Sequence, residues 1–367
     1  MRAEPSSDGQ RVRSPIVEVT SPASRDAWTR ALEGSAEALA FHTPAWVGCI
    51  CESGKYEDAS RLYETEEGRR LVLPLVRRTG VPGPFAIEAS LPHGWGFGGV
   101  VASGAVAPSE LTTVLTELAG RTVLRTSLRP NPLAAAPVAG SSPRMVHVRR
   151  TAHVLPLDGG FEQVWSGRFT GTARTAVRKA ERSSLVVEGD SSGRLVSTFY
   201  DLYLTSIERW ARESRRLSWL VRRRLRRQDP LDKFELVAER MGEACRIWVA
   251  WLDGRPVAAI IVLTHGANAS YWRGAMDKDL AGPTRANYLL HSRAILSACQ
   301  AGCRYYHMGE TGSDISLAQF KSRFGAQPQT YLEHRVERLP ITSIRNRLGR
   351  SARRLSRSTA SRSVAGR

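Results

Sequence analysis

Helix-type and strand-type spacings of apolar residues alternate along most of the chain. In the N-terminal half this pattern predicts, in order, strand IVEVT, a helix over 25–32, a capped turn at FHTPAWVGCICESG, a hairpin of RLYETEEG and RRLVLPLVRR, a helix over 108–119 and strand RTVLRTSL. Ser24 is a typical N-cap and Gly34 a typical C-terminal residue for the first helix. Helices and short strands therefore begin to alternate close to the start of the chain.

The C-terminal half repeats the same mixed order. Its spacing predicts helices over 161–169, 172–182, 194–209, 285–301 and 317–324, with strand SLVVEG between the second and third. Asp253–Gly254 is a strong hairpin turn between CRIWVAWLDG and RPVAAIIVLTHG. ASYWRGAM continues this antiparallel meander, and CRYYHMG and QTYLEHRVERL are the last predicted strands.

The shared order indicates an α+β protein with two similar domains in tandem, each a mixed, mostly antiparallel sheet flanked by helices. A Pro-, Ala- and Ser-rich stretch over 130–143 separates the two patterns. We therefore predict a disordered leader at 1–14, an N-terminal domain at 15–150, a C-terminal domain at 151–340 and a basic tail at 341–367.

Composition places the chain among ordinary globular proteins. Of its 367 residues, 42% are hydrophobic and 24% are charged. We expect a cytoplasmic protein, because the first residues lack a signal-peptide core and no apolar run reaches the length of a membrane span. The five cysteines lack zinc-ligand spacing, so we expect reduced thiols in or near the core and no metal.

Positive charge is concentrated in two segments. The formal net charge is +18, and residues 209–227 hold nine arginines and one glutamate, while 345–367 hold eight arginines and no acid. Residues 217–227 read as a helix with an apolar stripe and outward guanidinium groups, a pattern that fits phosphates. We predict that tRNA or another anion contacts the following side chains: Arg178, Lys179, Arg215, Arg216, Arg222, Arg223, Arg226 and Arg227.

The tail leaves two partners open. Ile341, Ile344, Leu348 and Leu355 lie at helical spacing among arginines, so the tail can follow RNA or lie on the anionic inner face of a membrane. A solvated basic tail is the plain alternative.

The motif Gly94-Trp95-Gly96-Phe97-Gly98-Gly99 matches the spacing of a dinucleotide-binding loop. Such a loop must follow a strand and open a helix, whereas here LPH precedes the motif and a β-favouring VVASG follows it. We therefore expect a tight loop that brings backbone close to a ligand or to the neighbouring domain.

The second half of the chain resembles a known family. RFTGTARTAVRKAERSSLVVEGD, FYDLYLTSIERWA, WVAWLDGRPVAAIIVLTHGANASYWRGAMDK, RANYLLHSRAILSACQAGCRYYHMGE and LAQFKSRFGAQPQTYLEH are similar, in order and spacing, to segments of Fem-type aminoacyltransferases and their acyltransferase relatives in the GNAT superfamily. FHTPAWVGCI and LVLPLVRR resemble the N-terminal half of those proteins. The resemblance implies two GNAT-like domains and transfer of an acyl or aminoacyl group to an amine or hydroxyl.

The resemblance also implies where the chemistry lies. GNAT-type sheets open between two central strands, which leaves backbone amides free to bind an oxyanion. Phe320 and Lys321 match the Phe-Lys signature of the family, so Lys321 is the candidate that steadies an oxyanion or a leaving hydroxyl. From its position alone, just past the predicted strand CRYYHMG, Glu310 is the candidate base, because a strand end can present a carboxylate to the active cleft. Trp272, Arg273 and Arg209 are candidate substrate contacts.

The donor is left open between two classes. Where GNAT acetyltransferases hold the CoA pyrophosphate on a glycine-containing loop, this chain has DKDLAGPTRANYLL, with Pro283 removing one donor. The resemblance to Fem-type enzymes therefore favours aminoacyl-tRNA, with an amine of a cell-envelope precursor or small natural product as acceptor. The alternatives are an acyl-CoA-dependent acetyltransferase acting on a polysaccharide or small molecule, and an inactive RNA-binding protein. No tightly bound cofactor is expected.

Overall fold

The structure is a computed structural model that describes residues 16–134, 144–214, 217–312 and 314–344. Arg215, Arg216, the predicted leader and the tail from residue 345 onward lie outside the described residues.

Strands make up most of the centre of the molecule. Within the described ranges they are β1 Ile16–Thr20, β2 Tyr56–Asp58, β3 Arg61–Thr65, β4 Arg70–Leu73, β5 Val76–Arg78, β6 Ile87–Ala89, β7 Val101–Ala102, β8 Arg125–Leu128, β9 Met145–Pro156, β10 Leu185–Asp190, β11 Cys245–Leu252, β12 Arg255–His265, β13 Asn268–Met276, β14 Tyr305–Glu310 and β15 Gln327–Glu337.

Helices cover the strands. In the same ranges they are α1 Arg25–Glu33, α2 Pro44–Glu52, α3 Pro108–Gly120, α4 Gly160–Gln163, α5 Gly171–Glu181, α6 Val196–Glu213, α7 Ser218–Gln228, α8 Leu231–Met241, α9 Lys278–Thr284, α10 Ala286–Gln300 and α11 Ile315–Arg323. A π-helical turn, Val164–Arg168, follows α4. Short 3₁₀ turns lie at Ala40–His42, Gly83–Phe85 and Gly242–Ala244.

Two sheets form the α+β architecture that the sequence predicts. A four-stranded sheet has the order β1-β3-β4-β7, and an eleven-stranded sheet has the order β10-β11-β12-β13-β14-β9-β15-β8-β6-β5-β2. Both are mixed or antiparallel, and the parallel contacts in the large sheet join β13 to β14 and β6 to β8. The predicted meander β11–β12–β13 is present, with its first turn at Asp253 and Gly254, both at positive φ.

Helices pack on both faces of the C-terminal strands. On one face α6 and α8 lie against β11, β12 and β13, and their apolar side chains join those of α1 and α2 in one core. On the other face α5 and α10 pack together over β11 and β12. A third core lies between α3 and the strands of the N-terminal half. The first core therefore holds the two halves of the chain together.

The two halves share one continuous sheet rather than meeting only through side chains. Strand β9 pairs with β14 of the C-terminal half and with β15, which in turn pairs with β8 of the N-terminal half. The predicted division after residue 150 falls within β9, a 12-residue strand. The chain passes from the small sheet to the large sheet at Pro74, which lies between β4 and β5. Proline has no N–H to continue the strand pairing, so β4 ends before it and β5 pairs in the large sheet.

Local differences from the predictions have local causes. The predicted helix at 161–169 is only one α-helical turn followed by the π-helical turn. The apolar stripe of the predicted helix over 217–227 consists of Leu217, Leu220, Val221 and Leu225, and it is only partly packed. Leu217 and Leu220 are 63% and 45% exposed, whereas Val221 and Leu225 are partly buried. Two side chains of α7, Arg222 and Arg226, instead pair with Glu208 of α6. Helices α8 and α9 were not predicted.

Candidate active site

The large sheet opens between its two central parallel strands. Pairing of β13 with β14 runs from Asn268↔Tyr305 to Ser270↔His307 and stops there, although both strands continue. Since alternate residues of a strand direct their peptide groups to opposite edges, the rest of β13 presents peptide N–H groups to the gap. This is the opening that the resemblance implied, and it lies at the carboxyl ends of both strands.

Both strands carry a bulge where they part. Trp272 is the extra residue of β13 against β12, since Val262 pairs with Tyr271 while Ile261 pairs with Arg273. In β14 Met308 is the extra residue against β9, and Gly309 next to it has φ +75°. A bulge adds twist and re-aims side chains, so this pair of bulges turns the two strand ends away from each other.

The glycine motif of the N-terminal half lies against the bulged part of β13, beside the gap. The carbonyl oxygen of Gly94 accepts hydrogen bonds from Trp272 Nε1 at 3.1 Å and from an Arg273 guanidinium nitrogen at 2.5 Å. Gly96 has φ +85°, and a Cβ there would lie 2.5 Å from the ring of Phe41. The motif is thus the tight loop that the sequence predicted, and it packs against the other half of the chain.

Two connected cavities fill the opening. An inner pocket of about 250 Å³ lies between residues 93–97, Arg129 and the ends of β13 and β14. An outer cleft of about 680 Å³ lies between α6, β13, α10 and α11. Tyr271, Trp272, Arg273 and Leu317 line both. Two reactants, one in each cavity, can therefore both reach β13 beside its bulge.

Glu310 is at the inner pocket, as its predicted role as a base requires. It ends β14, and its carboxylate is 27% exposed and accepts a hydrogen bond from the hydroxyl of Tyr331. An Arg129 guanidinium nitrogen lies 3.8 Å away. Burial and the Glu310 charge raise the pKa of Tyr331 well above its usual range, which keeps this hydroxyl protonated as a donor. The carboxylate is therefore oriented and remains reachable from the pocket.

Lys321 lies under the same strand end but is buried. Its Nζ donates to the carbonyl oxygens of Gly309 at 2.9 Å and Glu310 at 2.8 Å, with Thr311 Oγ1 at 3.4 Å. These partners use all the protons of an ammonium group. Burial lowers the pKa of Lys321 to about 8. Lys321 therefore acts on the pocket through the electrostatic effect of its charge and not through a hydrogen bond to a ligand. Its hydrogen bonds hold α11 against the end of β14.

A buried charged cluster, which the sequence did not predict, holds Arg273 at the β13 side of the inner pocket. Asp229, between α7 and α8, accepts hydrogen bonds from Lys233 Nζ at 2.6 Å, Arg273 at 3.1 Å and the Tyr203 hydroxyl at 2.7 Å. Burial opposes its charge, but these neighbours hold the pKa of Asp229 down at about 2. The Lys233 ammonium also lies 4.0 Å from the ring centroid of Trp95. The one sequence signal that could have drawn attention to Lys233 is that the chain contains only five lysines.

The remaining predicted residues line the outer cleft or lie beneath it. Arg209 lines the cleft beside Trp210, and its buried Nη1 has no hydrogen-bond partner among the described residues. Phe320 packs on the rings of Tyr288 and His291. His307, on β14, is 1% exposed, and its Nε2 lies within hydrogen-bond distance of Asn268 Oδ1, so it faces the core rather than the pocket.

The predicted anion-binding residues do not form one surface. A groove of about 610 Å³ between α6 and α7 is lined by Arg222, Arg223, Arg226, Arg227 and Glu208. Arg178 and Lys179 belong to α5, which packs on the opposite face of the sheet, and the Arg178 guanidinium lies over Trp165. The structure therefore brings four of the predicted arginines together and separates this pair from them.

The segment expected to replace a CoA loop is helical. Asp277 caps α9, Pro283 lies inside it, and Arg285, at φ +60°, joins it directly to α10. The Tyr288 N–H bonds to the Arg285 carbonyl oxygen. The start of α10 thus lacks an open glycine-rich loop.

A mixed sheet that opens at a bulged strand above a cleft is the architecture of the GNAT superfamily, and residues 167–322 match the family model described as acetyltransferase (GNAT) domain. The chain is an acyltransferase with a GNAT domain in its C-terminal half. No curated protein matches the chain.

Solved structures extend the likeness to both halves. The crystal structure of FemX is 10% identical and superposes with a TM-score of 0.57, over 88% of this chain and 97% of FemX. A C-terminal domain assigned to a lysylphosphatidylglycerol synthetase of Agrobacterium fabrum is 13% identical, with a TM-score of 0.50 over 87% of this chain and 94% of that domain. At these identities the likeness establishes the fold, which is Fem-like.

The described ranges contain neither a metal-binding cluster nor a membrane-spanning helix. Within them, no three histidine, cysteine or acidic side chains are grouped closely enough to hold a metal ion. None of the helices there combines the length and apolarity needed to cross a bilayer.

Proposed function

We propose that the chain transfers an aminoacyl group from aminoacyl-tRNA to an amine, with the donor in the outer cleft and the acceptor in the inner pocket. The observation that carries this proposal is the pair of cavities that meet at the bulged end of β13, beside a basic groove. An amine of a cell-envelope precursor or small natural product remains our proposed acceptor.

The geometry suggests how the reaction proceeds. Glu310 accepts a proton from the acceptor amine, and the amine nitrogen forms a bond to the carbonyl carbon of the donor. The carbonyl oxygen becomes an oxyanion that peptide N–H groups of β13 bind, since strand β14 no longer occupies them. When the tetrahedral intermediate collapses, the bond to the 3′-oxygen breaks, and this oxygen takes the proton from Glu310 and leaves as the 3′-hydroxyl. The Lys321 charge favours both the oxyanion and this departing oxygen.

Three features support aminoacyl-tRNA over a smaller donor. The helical junction of α9 and α10 gives a pyrophosphate no glycine-rich loop. Arg209 lines the cleft and adds its positive charge there, and its buried Nη1 has no hydrogen-bond partner among the described residues. Residue Glu208, next to it on α6, belongs to the arginine-lined groove. A nucleic-acid strand that leaves the cleft along α6 therefore meets guanidinium groups that bind phosphates.

An acyl-CoA donor is the second candidate. The specific observation in its favour is the family model, whose description is of an acetyltransferase. In that case the basic tail would serve as a tether to an anionic membrane, and its deletion would abolish vesicle binding without changing turnover in solution.

The test supplies the enzyme with charged tRNA or acetyl-CoA and follows group transfer to an amine panel by mass spectrometry. We expect transfer from charged tRNA that is lost on adding RNase before the reaction. Transfer from acetyl-CoA alone, insensitive to RNase, would replace this donor with the second candidate.

A binding arm tests the groove separately. Replacing Arg223 and Arg227 by Gln should make tRNA affinity less dependent on salt, with the log–log slope falling by about 0.7 to 0.9 for each phosphate that is no longer neutralised. Arg240→Gln is the matched control, because Arg240 is an exposed, paired arginine of α8. An unchanged slope in the double variant, or an equal decrease in the control, would show that α7 does not bind the nucleic acid.

A further inference from the structure

The inner pocket has opposite charges at a short separation. Arg129 and Glu310 both line it, and their closest charged atoms are 3.8 Å apart, a distance too long for a hydrogen bond. The side chains of both are partly buried, at 12% and 27% exposure. Each of these ions can therefore still accept a closer partner.

Arg129 is the arginine lining this pocket that has no carboxylate within hydrogen-bond distance among the described residues. Arg273 is paired with Asp229 at 3.1 Å, and Arg150, behind the pocket, is paired with Glu333 at 2.6 Å. The hydrogen bonds of the Arg129 guanidinium within the described residues go to the carbonyl oxygens of Leu91 and Pro92, at 3.5 and 3.3 Å. A guanidinium held this loosely has donors left for a ligand.

The inner pocket favours an anionic group beside Arg129, because Arg273 and the buried Lys321 line it as well and Glu310 is the acid among its lining residues. Burial lowers the pKa of His93, and the charges of Arg129, Arg273 and Arg150 lower it further against the opposing charge of Glu310, which favours the neutral imidazole. A carboxylate matches the planar guanidinium of Arg129, because the two can form two parallel hydrogen bonds. Phe41 and Phe97 give the pocket an apolar wall that accommodates a short carbon chain.

We propose that the inner pocket is a site for a zwitterionic amino acid acceptor, with the acceptor carboxylate bound by Arg129 and its amine placed against Glu310. The ligand replaces one long ion pair by two matched ones, and the separation of Arg129 and Glu310 suits an amine and a carboxylate a few bonds apart. This inference rests on the proposed function only in naming the ligand an acceptor.

The test compares β-alanine with β-alaninamide, which differ at the carboxyl group, by calorimetric titration of the full-length enzyme. Ethylamine, propionate and phosphoethanolamine serve as further probes. We expect β-alanine to bind at least tenfold more tightly than its amide, ethylamine or propionate. Arg129→Gln should abolish this preference, Arg129→Lys should restore part of it, and Arg293→Gln, at an ion pair on α10, should leave it unchanged.

Three results would overturn the proposal. Equal binding of β-alanine and its amide to the native enzyme would remove the carboxylate subsite, as would an unchanged preference in a folded Arg129→Gln variant. Tighter, Arg129-dependent binding of phosphoethanolamine would make the ligand a phosphate. Failure of the proposed function looks different, because β-alanine would then bind with the expected preference while no donor transfers a group to it.

Discussion

The carbonyl oxygen of Gly94 lies 3.1 Å from the indole nitrogen of Trp272 and joins the glycine loop of the N-terminal half to the bulged strand of the C-terminal half. Trp272 also contacts the ring of Trp46 on α2, at a centroid distance of 5.1 Å. One side chain thus forms the floor of both cavities and part of the core between the halves. The acyl-transfer site therefore exists only when the two halves are packed together.

The glycine loop should tolerate a methyl group poorly. A Cβ at Gly96 would lie 2.5 Å from the Phe41 ring, whereas Gly104 has a similar positive φ, +77°, with nothing within 4 Å of a Cβ. We expect Gly104→Ala to lower the free energy of unfolding by about 1 to 2 kcal/mol through backbone strain. Gly96→Ala should cost about 1 to 3 kcal/mol more through overpacking. Urea unfolding of both variants separates these contributions, and equal losses would contradict the packing argument.

Removing the charge of Asp229 should destabilise the fold. Asp229→Asn leaves Lys233 and Arg273 without their carboxylate, and Lys233 is 2% exposed. Breaking a buried pair in this way costs about 3 to 5 kcal/mol. Glu208→Gln breaks two exposed pairs and should cost about 1 kcal/mol or less. Chemical unfolding measures both, and similar small losses would mean that water reaches the Asp229 cluster.

Glu310→Gln should separate catalysis from structure. The amide retains an oxygen that accepts from Tyr331, so the fold should change little, while transfer at saturating acceptor should slow by about 10² to 10⁴-fold through loss of the base. Glu64→Gln, at an exposed ion pair of the small sheet, is the control. A Glu310→Gln enzyme that transfers at the native rate would exclude this carboxylate as the base.

The charge of Lys321 should give transfer an alkaline limit. Burial lowers the pKa of Lys321 to about 8, so its ammonium form is present below that pH and disappears above it. We expect turnover at saturating acceptor to fall as pH rises past about 8. Lys321→Arg should extend activity to higher pH, because arginine stays charged, and Lys321→Gln should be slow at every pH.

A pH profile of each folded variant measures this limit. An alkaline limb that survives in Lys321→Gln must come from another group. Burial also lowers the pKa of Lys233 to about 8, and Lys233 would then be the next candidate.

Local sequence determined most of the secondary structure. Helix α1 begins after Ser24, whose side chain accepts from the Ala27 N–H, and α2 begins at Pro44 after the Thr43 cap. The hairpin at Asp253–Gly254 follows from its turn residues, and Glu310 and Lys321 could be selected from a resemblance in local segments. Each of these features depends on residues near one another in the chain.

Only the tertiary structure decided what surrounds those residues. The inner pocket joins the glycine loop, Arg129 and the end of β14, which are far apart in sequence, and no periodicity encodes such a meeting. The Asp229 cluster became visible for the same reason, because Arg273 lies 44 residues away from it along the chain. Sequence therefore determined the elements and the chemical types, whereas long-range packing decided which charges are paired, which are buried and which remain to bind a substrate.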